Sequence, residues 1–221
     1  MGCFFYSINT SFPASMLTVL DNPLVKRDVA LLRDTRTTPD RFRAAMQRIG
    51  TALAVNAASH LTVRTTRINT PLEETDGHEL QQNIVLLPVL RAGVSLVEPF
   101  STLIPEAKIA YIGLARDEET LKTREYYYNV PALDASSLVY VLDPMLATGG
   151  SICATIERIQ SVGAKNIVVV AVIAAPEGAK RVETAFPHVP ILTAALDRCL
   201  NEHGFIMPGL GDAGDRYHGT V

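Results

Sequence analysis

Five short apolar runs constrain this chain more than anything else in it: "NIVLLPVL" (83–90), "KIAYIGLA" (108–115), "SLVYVLD" (137–143), "NIVVVAVIAA" (166–175) and "PILTAAL" (190–196). All are rich in Val, Ile and Leu, and helix-like segments at 94–104, 151–163 and 176–186 stand between several of them. Strands that are apolar on both faces have no side to offer to water, so they belong in a sheet covered above and below. The pattern predicts an α/β fold, a parallel sheet flanked by helices. Right-handed crossovers then align the C-terminal ends of the strands along one edge, where open sheets of this kind hold ligands.

Less regular segments surround that centre. "TTPDRFRAAMQRIGTALAVNAASHL" predicts the first long helix, with Thr38 as its cap, Pro39 in the first turn, and Phe42, Ala45, Met46, Ile49 and Leu53 on one face. "LTVRTTRINTPLEETDG" alternates and then turns, the pattern of a hairpin or exposed β-arm. Residues 116–130 are charged, Tyr-rich and without a clear period, and read as a mobile loop; the last twenty-odd residues are glycine-rich and irregular. A length of 221 residues suits a single domain, assigned to 23–221, behind a poorly ordered leader over 1–22.

A formal charge of −3 exerts no general pull on nucleic acid or anionic lipid, so an anionic ligand has to be held by local groups. Cys3, Cys153 and Cys199 form no CxxC or Cys/His cluster, which disfavours disulfides and zinc and fits a reducing, cytoplasmic setting. The apolar stretch 167–176 is too short to span a bilayer. The opening "MGCFFYSINTS" lacks the basic start of a signal peptide and misses the myristoylation pattern at Tyr6. His60, His78, His188 and His203 lack metal-ligand spacing, and Cys153 reads as a small core residue rather than a nucleophile.

"YVLDPMLATGGS" (140–151) carries the chemistry. A strand ends at Asp143, a short loop follows, and Ser151 begins a helix. The amides of Ala147 to Ser151 can converge on one anion, helped by the helix N-terminus and the hydroxyls of Thr148 and Ser151. By spacing alone, a glycine turn before a Ser-capped helix explains the stretch equally well. The acid separates the two readings: beside an anion it repels the ligand unless it takes hydrogen bonds from sugar hydroxyls or helps to hold a metal. That pairing suits a phosphorylated ribose.

An apolar strand, an acid and a short loop ending in Thr-Gly resembles the phosphoribosyl-pyrophosphate (PRPP) motif of the type I phosphoribosyltransferases. "DPMLATGGS" is similar to the form found in the uracil phosphoribosyltransferases, although most of the wider family has two adjacent acids where this chain has Asp143-Pro144. The likeness runs from about Pro23 to Thr220 and takes in, in order, "LRAG" (90–93), "ARDEET" (115–120), "AAPEG" (174–178) and "LNEHGFIMPGLGDAGDR" (200–216). Arg91 and Arg116 stand at successive strand ends. A lone arginine there is ordinarily a surface ion pair, but two beside a phosphate cradle offer forked donors to pyrophosphate oxygens. The glycine-dense tail reads either as a frayed end or as main chain left bare to read a flat pyrimidine edge.

The resemblance implies the type I phosphoribosyltransferase fold with a small irregular C-terminal hood over the base. It implies transfer from PRPP to uracil, giving UMP and diphosphate in pyrimidine salvage. PRPP binding falls to Arg91, Arg116, Asp143, Pro144, Met145, Leu146, Ala147, Thr148, Gly149, Gly150, Ser151 and Asp212. Uracil binding falls to Ile206, Gly211, Asp212 and Ala213, and the catalytic set is Arg91, Arg116, Asp143 and Asp212. Mg²⁺ is the expected cofactor, held mainly by PRPP and water. GTP is a candidate effector, and a homodimer or higher homo-oligomer is expected, with no nucleic acid or membrane partner. Residues 116–130 resemble the family's flap, but Lys122-Thr123-Arg124-Glu125, Asn129, His218 and Val221 depart from its pattern, which bears on flap contacts and effector response. The rivals are transfer to a different base and a catalytically silent nucleotide-sensing or RNA-regulating module.

Overall fold

The structure, a computed structural model, describes residues 16–116, 123–134 and 136–220. It begins with strand β1 (Leu17–Val19), helix α1 (Pro23–Arg33) and helix α2 (Pro39–Ala57). The side chain of Asn22 accepts the amides of Leu24 (2.8 Å) and Val25 (3.4 Å) and so starts α1, with Pro23 in the first turn, where a missing N–H costs nothing. The expected leader therefore ends sooner than residue 22: β1 is part of the sheet and Leu20 is buried. Residues 1–15 lie outside the described residues. Thr38 takes the N-cap position of α2 but makes no side-chain bond to the helix amides; its hydroxyl bonds the Asp40 carboxylate instead.

An antiparallel hairpin follows, β2 (Val63–Asn69) and β3 (Glu74–Leu80), a separate two-stranded sheet among the described residues, laced by Arg64–Glu79 and Arg67–Asp76 ion pairs. This is the arm that the alternation predicts. The chain continues through β4 (Asn83–Leu90), a 3-10 turn (Ala92–Leu96), α3 (Val97–Leu103), β5 (Lys108–Ile109), β6 (Tyr111–Arg116) and β7 (Thr123–Asn129). Next come β8 (Ser137–Leu142), β9 (Met145–Leu146), α4 (Gly150–Gln160), β10 (Asn166–Ala174), α5 (Pro176–Ala185) and β11 (Ile191–Leu196). Two short strands, β12 (Cys199–Leu200) and β13 (Ile206–Met207), precede α6 (Ala213–His218).

Among the described residues the main sheet runs β1-β11-β10-β8-β4-β6-β7, with β5 beside β4 and β9 beside β10. Its pairings are parallel except that of β6 with β7. Period-two alternation sends successive side chains to opposite faces. Leu86, Tyr140, Leu142, Val168 and Val170 meet Phe42, Met46, Ile49 and Leu53 of α2 on one side. Val85, Leu87, Val139, Val141 and Val169 meet Ile152, Ile156 and Ile159 of α4 and Val182 of α5 on the other. Both faces are covered, as the apolar runs require.

Two segments depart from expectation. Within the segment read as a mobile loop (116–130), Thr123–Asn129 is a strand that returns antiparallel to β6. Arg158 of α4 holds it, its guanidinium 3.8 Å from the Tyr128 ring centroid and 3.2 Å from the Glu125 carboxylate. Periodicity is absent there because long-range side-chain contacts, not a buried face, fix the strand. Residues 117–122 lie outside the described residues. The second departure is α1, whose buried set of Val25, Asp28, Val29 and Leu32 includes an acid. Arg48 (2.8 and 2.9 Å) and Arg27 (3.2 Å) neutralise that carboxylate and hold it below the usual range. A carboxylate on a core face breaks the apolar pattern by which a helix is read.

Candidate active site

The parallel strands deliver Arg91 after β4, Arg116 at the end of β6, Asp143 after β8 and Asp197 after β11 to the same edge. A Cβ added to Gly93 would lie 2.3 Å from the Leu142 carbonyl oxygen, so the turn that Arg91 opens rests directly on the end of β8. Arg91 and Asp143 are brought together by this contact. Asp143 is half-buried; its Oδ1 accepts the Met145 amide (3.2 Å). Burial pushes its carboxyl up to about 6, against the smaller pull of that hydrogen bond.

Beyond Asp143 the chain divides in two. Its first half is stitched to the sheet: the Pro144 carbonyl accepts the amides of Val172 (3.1 Å) and Ile173 (3.0 Å), and the Leu146 carbonyl accepts that of Ala175 (2.9 Å). Leu146 points into the core, 1% exposed. The Ala147 amide donates to the Met145 carbonyl (3.0 Å), so it does not join the donors expected to converge on an anion. That cradle narrows to Thr148 onward. Gly149 adopts a left-handed backbone (φ +76°) at the N-cap of α4, and the first amides of that helix have no intrahelical acceptor. An anion is the natural partner for such a helix start.

A second glycine shapes the cradle from behind. A Cβ on Gly178, in the first turn of α5, would stand 2.2 Å from the Ala147 carbonyl oxygen, and one on Gly149 would stand 2.9 Å from the Gly178 carbonyl oxygen. The loop and α5 thus meet backbone to backbone. Arg181 of α5 adds a long hydrogen bond to the Thr148 carbonyl (3.4 Å).

The C-terminal segment closes the other side, and it is neither frayed nor without secondary structure. Asp212 caps α6 by accepting the Asp215 amide (2.8 Å), and the Asp215 carboxylate takes Arg91 Nη2 at 3.1 Å. A Cβ on Gly214 would come within 3.7 Å of Ala92, so α6 packs on the turn that carries Arg91. Arg216 ties the segment down through the carbonyls of Leu210 and Asp34 (both 2.7 Å) and of Leu32. Ile206 and Ala213 are buried, while Gly211 (φ +82°) and Asp212 are exposed at the surface of this hood.

A family model described as uracil phosphoribosyltransferase matches residues 19–220. The chain belongs to the uracil phosphoribosyltransferase family. Curated proteins of that name from Fervidobacterium nodosum and Paracoccus denitrificans are 43% and 45% identical to it, covering 93% and 92% of this chain and 100% and 97% of their own. Among solved structures, the AQ2163 protein of Aquifex aeolicus superposes with a TM-score of 0.86 at 35% identity, covering 91% of this chain and 97% of that one. The adenine phosphoribosyl transferase of Trypanosoma brucei, solved with AMP, pyrophosphate and ribose-5-phosphate, shares the fold at 14% identity, with a TM-score of 0.56 and coverage of 86% and 87%.

The structure therefore brings the sites expected for Arg91, Asp143 and Asp212 to one edge and sets the 148–151 loop beside them. Arg116 ends β6 opposite Thr123. Of the positions that depart from the family pattern, Asn129 bonds the Tyr127 hydroxyl (3.5 Å) and the His218 ring stands edge-on to Tyr217 (5.2 Å between centroids). Lys122 and Val221 lie outside the described residues. Cys153 is buried, and burial pushes its thiol up, away from nucleophilic use. Sequence reasoning passes over Asp197 and Arg33, and it assigns no role to Gly178, quoted only within "AAPEG", or to Asp215. A signal existed for two of them: Gly178 is a glycine inside a helix, and Asp197 repeats the acid-after-strand pattern of Asp143.

Proposed function

We propose that this chain joins uracil to the ribose of PRPP, releasing diphosphate and giving UMP for pyrimidine salvage. A uracil nitrogen forms a bond to the anomeric carbon while the bond from that carbon to diphosphate breaks. The electron pair leaves with the diphosphate oxygen, and the uracil N–H proton is lost. The observation that carries this reading is the docking of the Gly211–Ala213 hood, through Gly214 and Asp215, onto the Arg91 turn that abuts Asp143. A flat base against bare main chain and a sugar flanked by anion-binding groups fit that arrangement.

In this reading the 148–151 loop holds the 5-phosphate, Asp143 accepts the ribose hydroxyls, and Arg91 and Arg116 hold the diphosphate and stabilise its departure. Ile206 and Gly211–Ala213 present the base, with Asp212 also on PRPP. Orientation alone contributes about 7–11 kcal/mol in reactions of this kind, so positioning supplies much of the catalysis. Among the described residues no three His, Cys, Asp or Glu side chains cluster as a metal cage. A Mg²⁺ ion arriving with PRPP would be held mainly by the substrate and water, and it would supply positive charge against the departing diphosphate. Activation by GTP, assembly into dimers or larger oligomers, and a cytoplasmic setting belong to the same reading.

The test is to incubate the purified protein with uracil, PRPP and Mg²⁺, with and without GTP, and to follow UMP. Wild type is expected to form UMP, and Arg116→Ala to lose at least about a hundredfold in rate, the size typical of removing one group that stabilises transition-state charge. A folded wild-type protein that forms no UMP sinks the reading. A base panel that includes adenine, guanine and cytosine decides against the rival bases.

A further inference from the structure

Asp197 follows a parallel strand at the same edge as Asp143, but its carboxylate is committed elsewhere. The side chain is 3% exposed and is gripped by Arg33, the last residue of α1: Arg33 Nη1 reaches Oδ2 at 2.8 Å and Nη2 pairs with Oδ1. The same Oδ2 accepts the Gly209 amide (2.8 Å), and the same Nη1 donates to the Gly209 carbonyl (2.8 Å). Both polar backbone groups of one glycine are thus held by a single ion pair. Gly209 has a left-handed backbone (φ +63°), and a Cβ there would lie 2.2 Å from the Ile206 carbonyl oxygen. It is the tight point of the turn between Ile206 and Gly211.

The location matters because of how a main-chain site reads a base. A side-chain donor that is slightly misplaced can re-aim by changing rotamer, whereas a peptide group goes only where its loop is held. Accuracy therefore belongs to whatever clamps the loop. We infer that Arg33 and Asp197 are positioning residues for the pyrimidine: their partly buried ion pair, closed on Gly209, sets where the backbone of residues 206–211 meets the base. This rests on the proposed function above. It assigns uracil affinity to two residues that touch neither substrate.

The test is initial-rate kinetics on Asp197→Asn, with uracil and PRPP varied in turn and circular dichroism as a check on folding. The amide has one acceptor oxygen where the carboxylate has two, and its NH2 group cannot accept from Arg33. The two-pronged grip on residue 197 is thus broken, and the charge that holds Arg33 and Gly209 together is lost. The expected result is a KM for uracil raised about tenfold to a hundredfold, with the KM for PRPP changed by less than about twofold. Arg33→Lys is the milder companion. It keeps a positive charge on Asp197 but replaces the fork with a point donor, and about a fivefold rise in uracil KM alone is expected. It decides the matter should Asp197→Asn fail to fold. Folded variants in which neither KM moves, or both move by the same factor, overturn the inference and leave the reaction standing. A wild-type protein that makes no UMP overturns the reaction and this inference with it.

Discussion

Gly178→Ala is expected to lower kcat/KM for PRPP by at least about a hundredfold, the cost of displacing a binding group by about an ångström. A methyl group at this position would sit 2.2 Å from the Ala147 carbonyl oxygen and 3.1 Å from that of Leu146. Both obstacles are backbone, and the Leu146 carbonyl is fixed by its bond to the Ala175 amide. No side chain can swing aside, so the 147–149 loop has to move. Helix propensity works the other way: alanine in place of glycine favours the helix by about 1 kcal/mol. The variant should therefore remain folded while losing the hold on the 5-phosphate proposed for this loop. Steady-state rates with PRPP varied, beside a thermal melt, separate the two effects. A variant that binds PRPP normally would show that the loop has slack or that the anion sits elsewhere.

Asp143→Asn should push stability and activity in opposite directions. Burial raises this carboxyl from its ordinary 3.8 to about 6, which means that the folded ligand-free protein resists the ionised form. Below the unfolded value both states carry the proton and the residue contributes nothing. As pH climbs from about 4 to about 6 the unfolded chain ionises more readily, and folding loses free energy. Above about 6 the penalty is constant. Asparagine keeps an acceptor for the Met145 amide and removes the charge, so it should stabilise the protein by about 1–3 kcal/mol at pH 8 and by almost nothing at pH 4. Denaturant melts at the two pH values measure this directly.

Activity should fall by about two to three orders of magnitude at pH 8, because the proposed reading has this charge accept the ribose hydroxyls and face a cationic sugar. For the wild type, kcat/KM should rise with pH through an acid limb near 6, the value in the free protein. The residual activity of the variant should lack that limb. An asparagine protein that is both less stable at pH 8 and fully active would contradict the desolvated carboxylate and its role together.

What could be read from the sequence follows burial. The interior strands announce themselves because both faces are apolar, and the loop after Asp143 does so because its glycines and acid have little other reason to adjoin. Elements that depend on partners distant in sequence stay hidden. Strand 123–129 takes its hold from Arg158, and α1 buries an acid that only Arg27 and Arg48 make tolerable. Helix α6 forms in a glycine-dense stretch because Asp212 caps it and Arg216 staples it from behind. Asp143 and Asp197 are each an acid after an apolar run, and in one dimension only the glycine loop after Asp143 sets it apart. Only the fold tells that one is left facing the edge while the other is consumed by Arg33 and Gly209.

Strand β1 has a practical bearing on any shortened version of the chain. Its neighbour β11 takes hydrogen bonds on that flank from residues that look dispensable: Ile191 donates to the Met16 carbonyl (2.7 Å), and the Thr193 carbonyl accepts from Leu20 (2.9 Å). A protein trimmed to begin at Pro23 would keep every group proposed to meet substrate, yet it would present a raw border of unclaimed peptide groups to the solution. Its failing would be gregariousness, one molecule's margin annealing to another's, rather than any fault in its chemistry.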